Sequence, residues 1–149
     1  MVAGGRKAGK TEFTKSLLRS RETIINPSLE RIVWCYAKHQ EELYEELMTI
    51  NSNIEYVHGI PENIETMFMK DQTNLIVLDD MMDEASKNEK VSQLFTRGRH
   101  DNLSVIFLTQ NLFHKNQRSI SLNSDYMACL LYTSPSPRDR TRSRMPSSA

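Results

Sequence analysis

Gly4-Gly5-Arg6-Lys7-Ala8-Gly9-Lys10-Thr11 matches the pattern G-x-x-x-x-G-K-[ST] at every fixed position. Small residues let a tight loop wrap an anion, so that successive backbone N–H groups at a helix N-terminus point at it. Gly4 to Thr11, every residue of the loop, are therefore candidates for binding the phosphates of a nucleoside triphosphate. Lys10 would reach the outer phosphates, and the Thr11 hydroxyl would serve Mg2+. Met1-Val2-Ala3 in front reads as the end of a strand, and Thr11 to Leu18 behind reads as a helix. Three of the five glycines lie in these eight residues, which a Gly-rich surface turn would not require.

Outward from the loop, apolar runs alternate with amphipathic ones. Arg31 to Ala37 (RIVWCYA) predicts a buried strand, and Gln40 to Ile50 predicts a helix with Leu43, Leu47 and Ile50 on one face. Ile54 to His58 reads as a short strand, Gly59-Ile60-Pro61 as a turn and Glu62 to Lys70 as a further helix. Asn74 to Asp79 (NLIVLD) is the strongest strand signal. Asp83 to Arg97 follows as one helix capped by Gly98, and Leu103 to Thr109 (LSVIFLT) as another buried strand. Continuous apolar strands alternating with helices predict an α/β fold, a mostly parallel sheet with helices on both faces.

The strand ending in Asp79-Asp80 supplies what the loop lacks. A cation bridging the β- and γ-phosphates needs a carboxylate beyond the loop threonine, and Asp79 stands where a neighbouring strand would deliver one. Asp80 would then orient or deprotonate the attacking water. The other reading of the pair is a turn-opening Asp. Gln110, directly after a buried strand, can touch both a γ-phosphate and a water; alternatively it satisfies backbone groups at a strand end. Arg97 and Arg99 are candidates for stabilising transferred charge, although cations near a helix C-terminus also suit its dipole. His39, His58, His100 and His114 lack ligand spacing, and Trp34, Tyr36, Met67, Met69, Met81 and Met82 read as packing.

At 149 residues the chain fits one domain, and no apolar run has the length of a membrane span. Cys35 and Cys129 make neither a disulfide framework nor a metal site, so a reducing compartment is expected. Nineteen basic and nineteen acidic residues balance overall, but unevenly. Between Thr133 and Ala149 four arginines face one aspartate, leaving the rest mildly acidic, with no basic stripe for nucleic acid. That segment (TSPSPRDRTRSRMPSSA) has Met145 as its one apolar side chain of any size and cannot bury enough surface to order itself. Together with Cys129-Leu130-Leu131-Tyr132 it resembles the conceptual translation of sequencing-adapter sequence. The expected division is thus a P-loop ATPase core over residues 1–128 and a disordered Ser/Pro/Arg tail, foreign to the natural chain, over 129–149.

In chain order the phosphate loop, LIVLDD (Leu75–Asp80), QLFTRGRHDNLSVIFLTQNLF (Gln93–Phe113) and SISLNSDY (Ser119–Tyr126) resemble the FtsK-HerA superfamily of DNA-pumping ATPases. Within it they are most similar to the viral genome-packaging branch: the poxvirus-type packaging ATPase and relatives in large DNA viruses, virophages, adintoviruses and Maverick/Polinton elements. The resemblance spans Val2 to Tyr126. It implies a RecA-like (additional-strand) P-loop NTPase, in which the strand after the acidic one inserts beside the phosphate-loop strand. It also implies ATP and Mg2+ as cofactors, Asp80 as the catalytic acid and Gln110 as a sensor, with Arg97 or Arg99 as a finger reaching a neighbouring subunit's nucleotide. A homo-oligomeric ring would thread double-stranded DNA into a capsid through portal or vertex proteins, in the cytoplasm or nucleus of the host cell or with the virion. Lys7 departs from the pattern, since relatives often have Gly or Ser there. Met1 starts inside the first strand and the last strands give way to the tail, so the fold is expected to be truncated at both ends. Other ring ATPases (helicase or AAA+ type) and a non-catalytic nucleotide-binding fragment are the competing readings; a small-molecule kinase would need a substrate lid that is not seen.

Overall fold

The computed structural model describes residues 1–111 and 118–130, apart from the Arg99 side chain. The elements run β1 (Val2–Gly4), α1 (Lys10–Arg19), α2 (Arg21–Ile24), β2 (Arg31–Tyr36), α3 (Glu41–Ile50), β3 (Ile54–His58), β4 (Asn74–Asp79), α4 (Met82–Lys87) and α5 (Glu89–Arg97). A 3-10 turn (Gly98–Asp101), β5 (Leu103–Thr109), α6 (Arg118–Leu122) and β6 (Ala128–Leu130) follow. All six strands are parallel, in the order β3-β2-β4-β5-β1-β6. β5 therefore lies between the acidic strand and the phosphate-loop strand, the arrangement of a RecA-like fold.

Every residue of β4 is buried, which is why its sequence is apolar without alternation. Its side chains divide between two cores. Leu75 and Val77 join Trp34 and Leu108 under Leu18 of α1 and Leu43 and Leu47 of α3. Ile76 and Leu78 join Val33 and Phe107 under Ala85, Val91, Leu94 and Ile120 of α4, α5 and α6. A strand's period of two puts Asp79 on the first face, the side on which α1 leaves the phosphate loop.

Three expectations are corrected. Glu62 to Lys70 is not a helix but a run of turns, although Ile64 and Phe68 are buried as a helical spacing would have them. The Asn63 carbonyl closes single turns with the Thr66 and Met67 N–H groups, but further carbonyls are claimed from outside the segment, Met67 by the Arg31 guanidinium and Met69 by the Asn74 amide. The Asp83 to Arg97 helix breaks at Asn88, whose extended backbone and side-chain bond from Lys90 N–H (3.0 Å) start α5 afresh. Gly98 caps α5 as expected, in right-handed conformation, and is small because a Cβ there would lie 2.9 Å from the Leu103 carbonyl oxygen. Met69, read as packing, is 61% exposed.

The boundary placed near Ala128 falls inside β6, where Cys129 and Leu130 pair with Ala3 and Gly4. The backbone of β1 thus claims two residues that composition had assigned to the tail. The remainder of the tail, residues 131–149, lies outside the described residues, as does His114. Among the described residues no helix is long and apolar enough to cross a membrane.

Candidate nucleotide site

The loop from Gly5 to Gly9 joins the C-terminal end of β1 to α1. Lys7 (φ 59°) and Gly9 (φ 90°) are both left-handed, the alternation that turns consecutive N–H groups into a concave anion cradle. Gly4 has another reason to be glycine: a Cβ would lie 2.5 Å from the Leu130 carbonyl oxygen and 2.9 Å from Ala8 Cβ. Lys10 Nζ donates to the carbonyls of Gly4 (2.7 Å) and Gly5 (3.0 Å), folding over the loop. These are neutral acceptors, which phosphate oxygens would outcompete. Thr11 is half-buried in the first turn of α1.

Asp79 ends β4 with 7% of its surface exposed. Burial, reinforced by the neighbouring Asp80 charge, pushes its carboxyl up to about 6, against the pull of the Trp34 indole and then of the Lys10 charge. Asp80 itself is exposed and left-handed (φ 53°), its N–H bonded to the Leu108 carbonyl of β5. Gln110 Nε2 donates to Asp80 Oδ2 at 2.9 Å. The candidate acid and the candidate sensor, thirty residues apart in sequence, are thus in direct contact across the ends of adjacent strands. Among the described residues no cluster of three or more His, Cys, Asp or Glu forms a self-contained metal site. One buried carboxylate and a threonine hydroxyl are hard oxygen donors of the kind that hold Mg2+ together with phosphates.

Arg97 is not part of this group. It ends α5 at the opposite edge of the sheet, exposed, beside a cleft of about 200 Å³ that Phe68, Lys70, Gly98 and Leu103 help line. The seven residues of β5 put roughly 20 Å of strand between that edge and Gln110. The backbone of Arg99 lies at the same edge. Neither arginine can serve its own subunit's phosphate loop without a large displacement.

The model of the poxvirus A32 protein family matches residues 1–134. The chain belongs to that family. It is 27% identical over 128 residues to the DNA packaging protein OPG160 of Vaccinia virus (strain Copenhagen), covering 76% of this chain and 46% of that protein. The OPG160 proteins of Monkeypox virus and Variola virus match at the same identity, covered over 41% and 46% of their lengths. The chain thus spans less than half the length of these relatives.

Two features of this A32-family chain escaped sequence reading. Lys15, one turn into α1, is buried and ion-paired with Glu12 and with Glu46 of α3. Burial lowers its pKa, but the two carboxylates more than offset this and hold it raised. The pair bridges the helices around a cleft of about 580 Å³ that opens beside Thr11. The other is a set of rings at the ends of β2 and β3: Tyr36 stacks on Tyr56 at 4.2 Å, and His39, His58 and Tyr44 pack edge-on or tilted around them. The parallel register that aligns Tyr36 with His58 and Asp79 builds this set, and spacing along one strand cannot show it.

Proposed function

We propose that this chain is the core of an ATP-hydrolysing motor of the FtsK-HerA type that translocates double-stranded DNA, packaging a viral or virus-like genome into a capsid. The observation that carries the hydrolytic part is the Asp80–Gln110 hydrogen bond on the strand pair flanking the phosphate loop. A binding module needs the loop alone; a hydrolase needs an acid and a γ-phosphate sensor placed together. The DNA part rests on membership of the poxvirus A32 protein family and on the packaging role named for its relatives.

In this reading the loop N–H groups and Lys10 hold the triphosphate, with Lys10 leaving the Gly4 and Gly5 carbonyls to do so. Thr11 and Asp79 would hold Mg2+, which when bound neutralises charge on the β- and γ-phosphate oxygens. Asp80 accepts a hydrogen bond from the attacking water and takes up its proton. Gln110, now bonded to Asp80, turns its amide to the γ-phosphate and so couples nucleotide state to the segment that follows β5. Arg97 or Arg99 of one subunit would serve the nucleotide of the next in a ring.

DNA-stimulated ATP turnover tests this reading. Lys10→Ala should abolish ATP binding. Asp80→Asn keeps Asp79 and the loop, so ATP should bind while turnover falls about a hundredfold or more. Normal ATP affinity in Lys10→Ala, or equal loss of binding and turnover in Asp80→Asn, would refute the assignment.

A further inference from the structure

Across the sheet, Tyr56 of β3, Trp34 of β2 and Val77 of β4 stand in one row, and Asp79 follows Val77 by two residues. Period-two alternation points all four side chains to the α1 and α3 face. The diagonal step from Trp34 to Asp79 is roughly 7–8 Å between backbones, a span that an indole covers. Trp34 is fully buried, yet its Nε1–H has no acceptor at hydrogen-bond distance, and the Tyr56 hydroxyl in the same row is also buried without one. A donor left so costs about 1–3 kcal/mol, and a phenylalanine would fill the same slot without that penalty. Close by lies Asp79, a carboxylate with 7% exposure, and the indole dipole favours its ionised form.

We propose that Trp34 is a positioning residue for Asp79: its indole N–H addresses one carboxylate oxygen and thereby presents the other to the divalent cation that accompanies a nucleotide. This rests on the nucleotide reading above. The ring packs the core beneath α1 and α3; the N–H sets the carboxylate rotamer. With Asp79 oriented to hold a cation, the near contact would close to a hydrogen bond. A partner of a metal ligand in this position is worth about tenfold or more in metal affinity.

Trp34 is the only tryptophan of the chain, so its indole gives a single 15N–1H signal in the labelled protein. That signal should shift when Mg2+ and a non-hydrolysable ATP analogue are added together, and Asp79→Asn should displace it in the absence of both. In Trp34→Phe, Mn2+ affinity in the presence of the analogue, read from the electron paramagnetic resonance of free Mn2+, should fall about tenfold. Analogue binding without metal should not change. An indole signal indifferent to metal and to Asp79→Asn overturns the proposal, as does unaltered Mn2+ affinity in a folded Trp34→Phe. If that variant does not fold, the signal of the unsubstituted protein decides alone. Failure of the unsubstituted chain to bind the analogue at all would bring down the nucleotide reading first, and this proposal with it.

Discussion

The two ends of the sheet treat their polar groups differently. At the N-terminal edge, the buried Asn74 Oδ1 and the left-handed Asn102 (φ 48°) apart, they are paired: Arg31 forms a two-pronged ion pair with Glu55, and Lys70 pairs with Asp101. The Asn74 amide donates to the carbonyls of Met69 and Gln72, and that of Asn102 to the Lys70 carbonyl. At the C-terminal edge Lys7 and Asp80 hold left-handed backbone, Asp79 is buried beside a like charge, and the Trp34 N–H lacks an acceptor. Two of the three described non-glycine residues with positive φ lie at this edge, and strain of that kind persists only where the surrounding fold enforces it. If the C-terminal edge is the nucleotide site proposed above, substitutions at the two edges should differ in sign.

Arg97 breaks this division unless it acts on a neighbouring molecule, because it is a candidate for chemistry standing at the stabilising edge. The largest expected effect is therefore on Arg97→Ala, or on Arg99→Ala if that residue is the finger. One of the two should bind ATP normally and hydrolyse it about a thousandfold more slowly. Mixed with Asp80→Asn subunits, equally inactive alone, it should regain turnover that fades on dilution. Turnover at full speed in both single variants would return the arginines to the helix-dipole role. Recovery failing in verified mixed assemblies would require Arg97 to cross some 20 Å to its own site, against the geometry of β5.

Asn74 is the sharper test of the stabilising edge. It is buried, and truncation to Ala removes two hydrogen bonds to the part-buried carbonyls of Met69 and Gln72, so Asn74→Ala should lose about 1–2 kcal/mol in chemical denaturation. The ATP affinity of the folded variant should be unchanged. Weakened binding there would mean that the edges are coupled.

Asp79→Asn should move the other way. The carboxyl has a folded pKa of about 6 against an ordinary 3.8, so the folded state prefers the protonated form. That preference stabilises fully below the unfolded value and is lost as pH rises through 6. Above it, ionised Asp79 costs about 2–3 kcal/mol at 1.36 kcal/mol per pH unit. Asp79→Asn should therefore raise the melting temperature at pH 7.5 and leave it nearly unaltered below pH 4, while weakening divalent-cation binding. A drop in stability at neutral pH would show the carboxylate to be well solvated or paired.

These contrasts also show which features the sequence carried. β4 and β5 were legible to the residue, because strands buried on both faces write themselves as continuous apolar runs with polar stops. The Gly4–Thr11 loop and the Asp79-Asp80 pair could be singled out as candidates because their patterns are local. The Asp80–Gln110 contact was legible only as two separate candidates, since strand order makes it. Trp34 was legible as core, but neither the register that sets it diagonal to Asp79 nor the Lys15–Glu46 pair across two helices can be read from one segment. The turn segment Glu62 to Lys70 misled because apolar periodicity reports which side chains are buried, not which carbonyls Arg31 and Asn74 will claim. Asn88 stops a helix by a side-chain bond that composition makes available without requiring it.

The smallest effect belongs to Lys7, the departure from the family pattern. Its φ of 59° costs a side chain with a Cβ about 1–2 kcal/mol, which glycine avoids. Glycine also gains freedom in the unfolded chain, a loss of roughly 0.5–1 kcal/mol that offsets part of the benefit. Lys7→Gly should thus gain about 0.5–1 kcal/mol in denaturation. ATP affinity separates the two reasons a lysine would be kept there. If its charge reaches the phosphates, Lys7→Gly stabilises the fold yet weakens binding, and added salt narrows the difference between the two proteins. If affinity holds, the strain has no compensation at this site, and the C-terminal edge carries at least one left-handed residue that chemistry does not require.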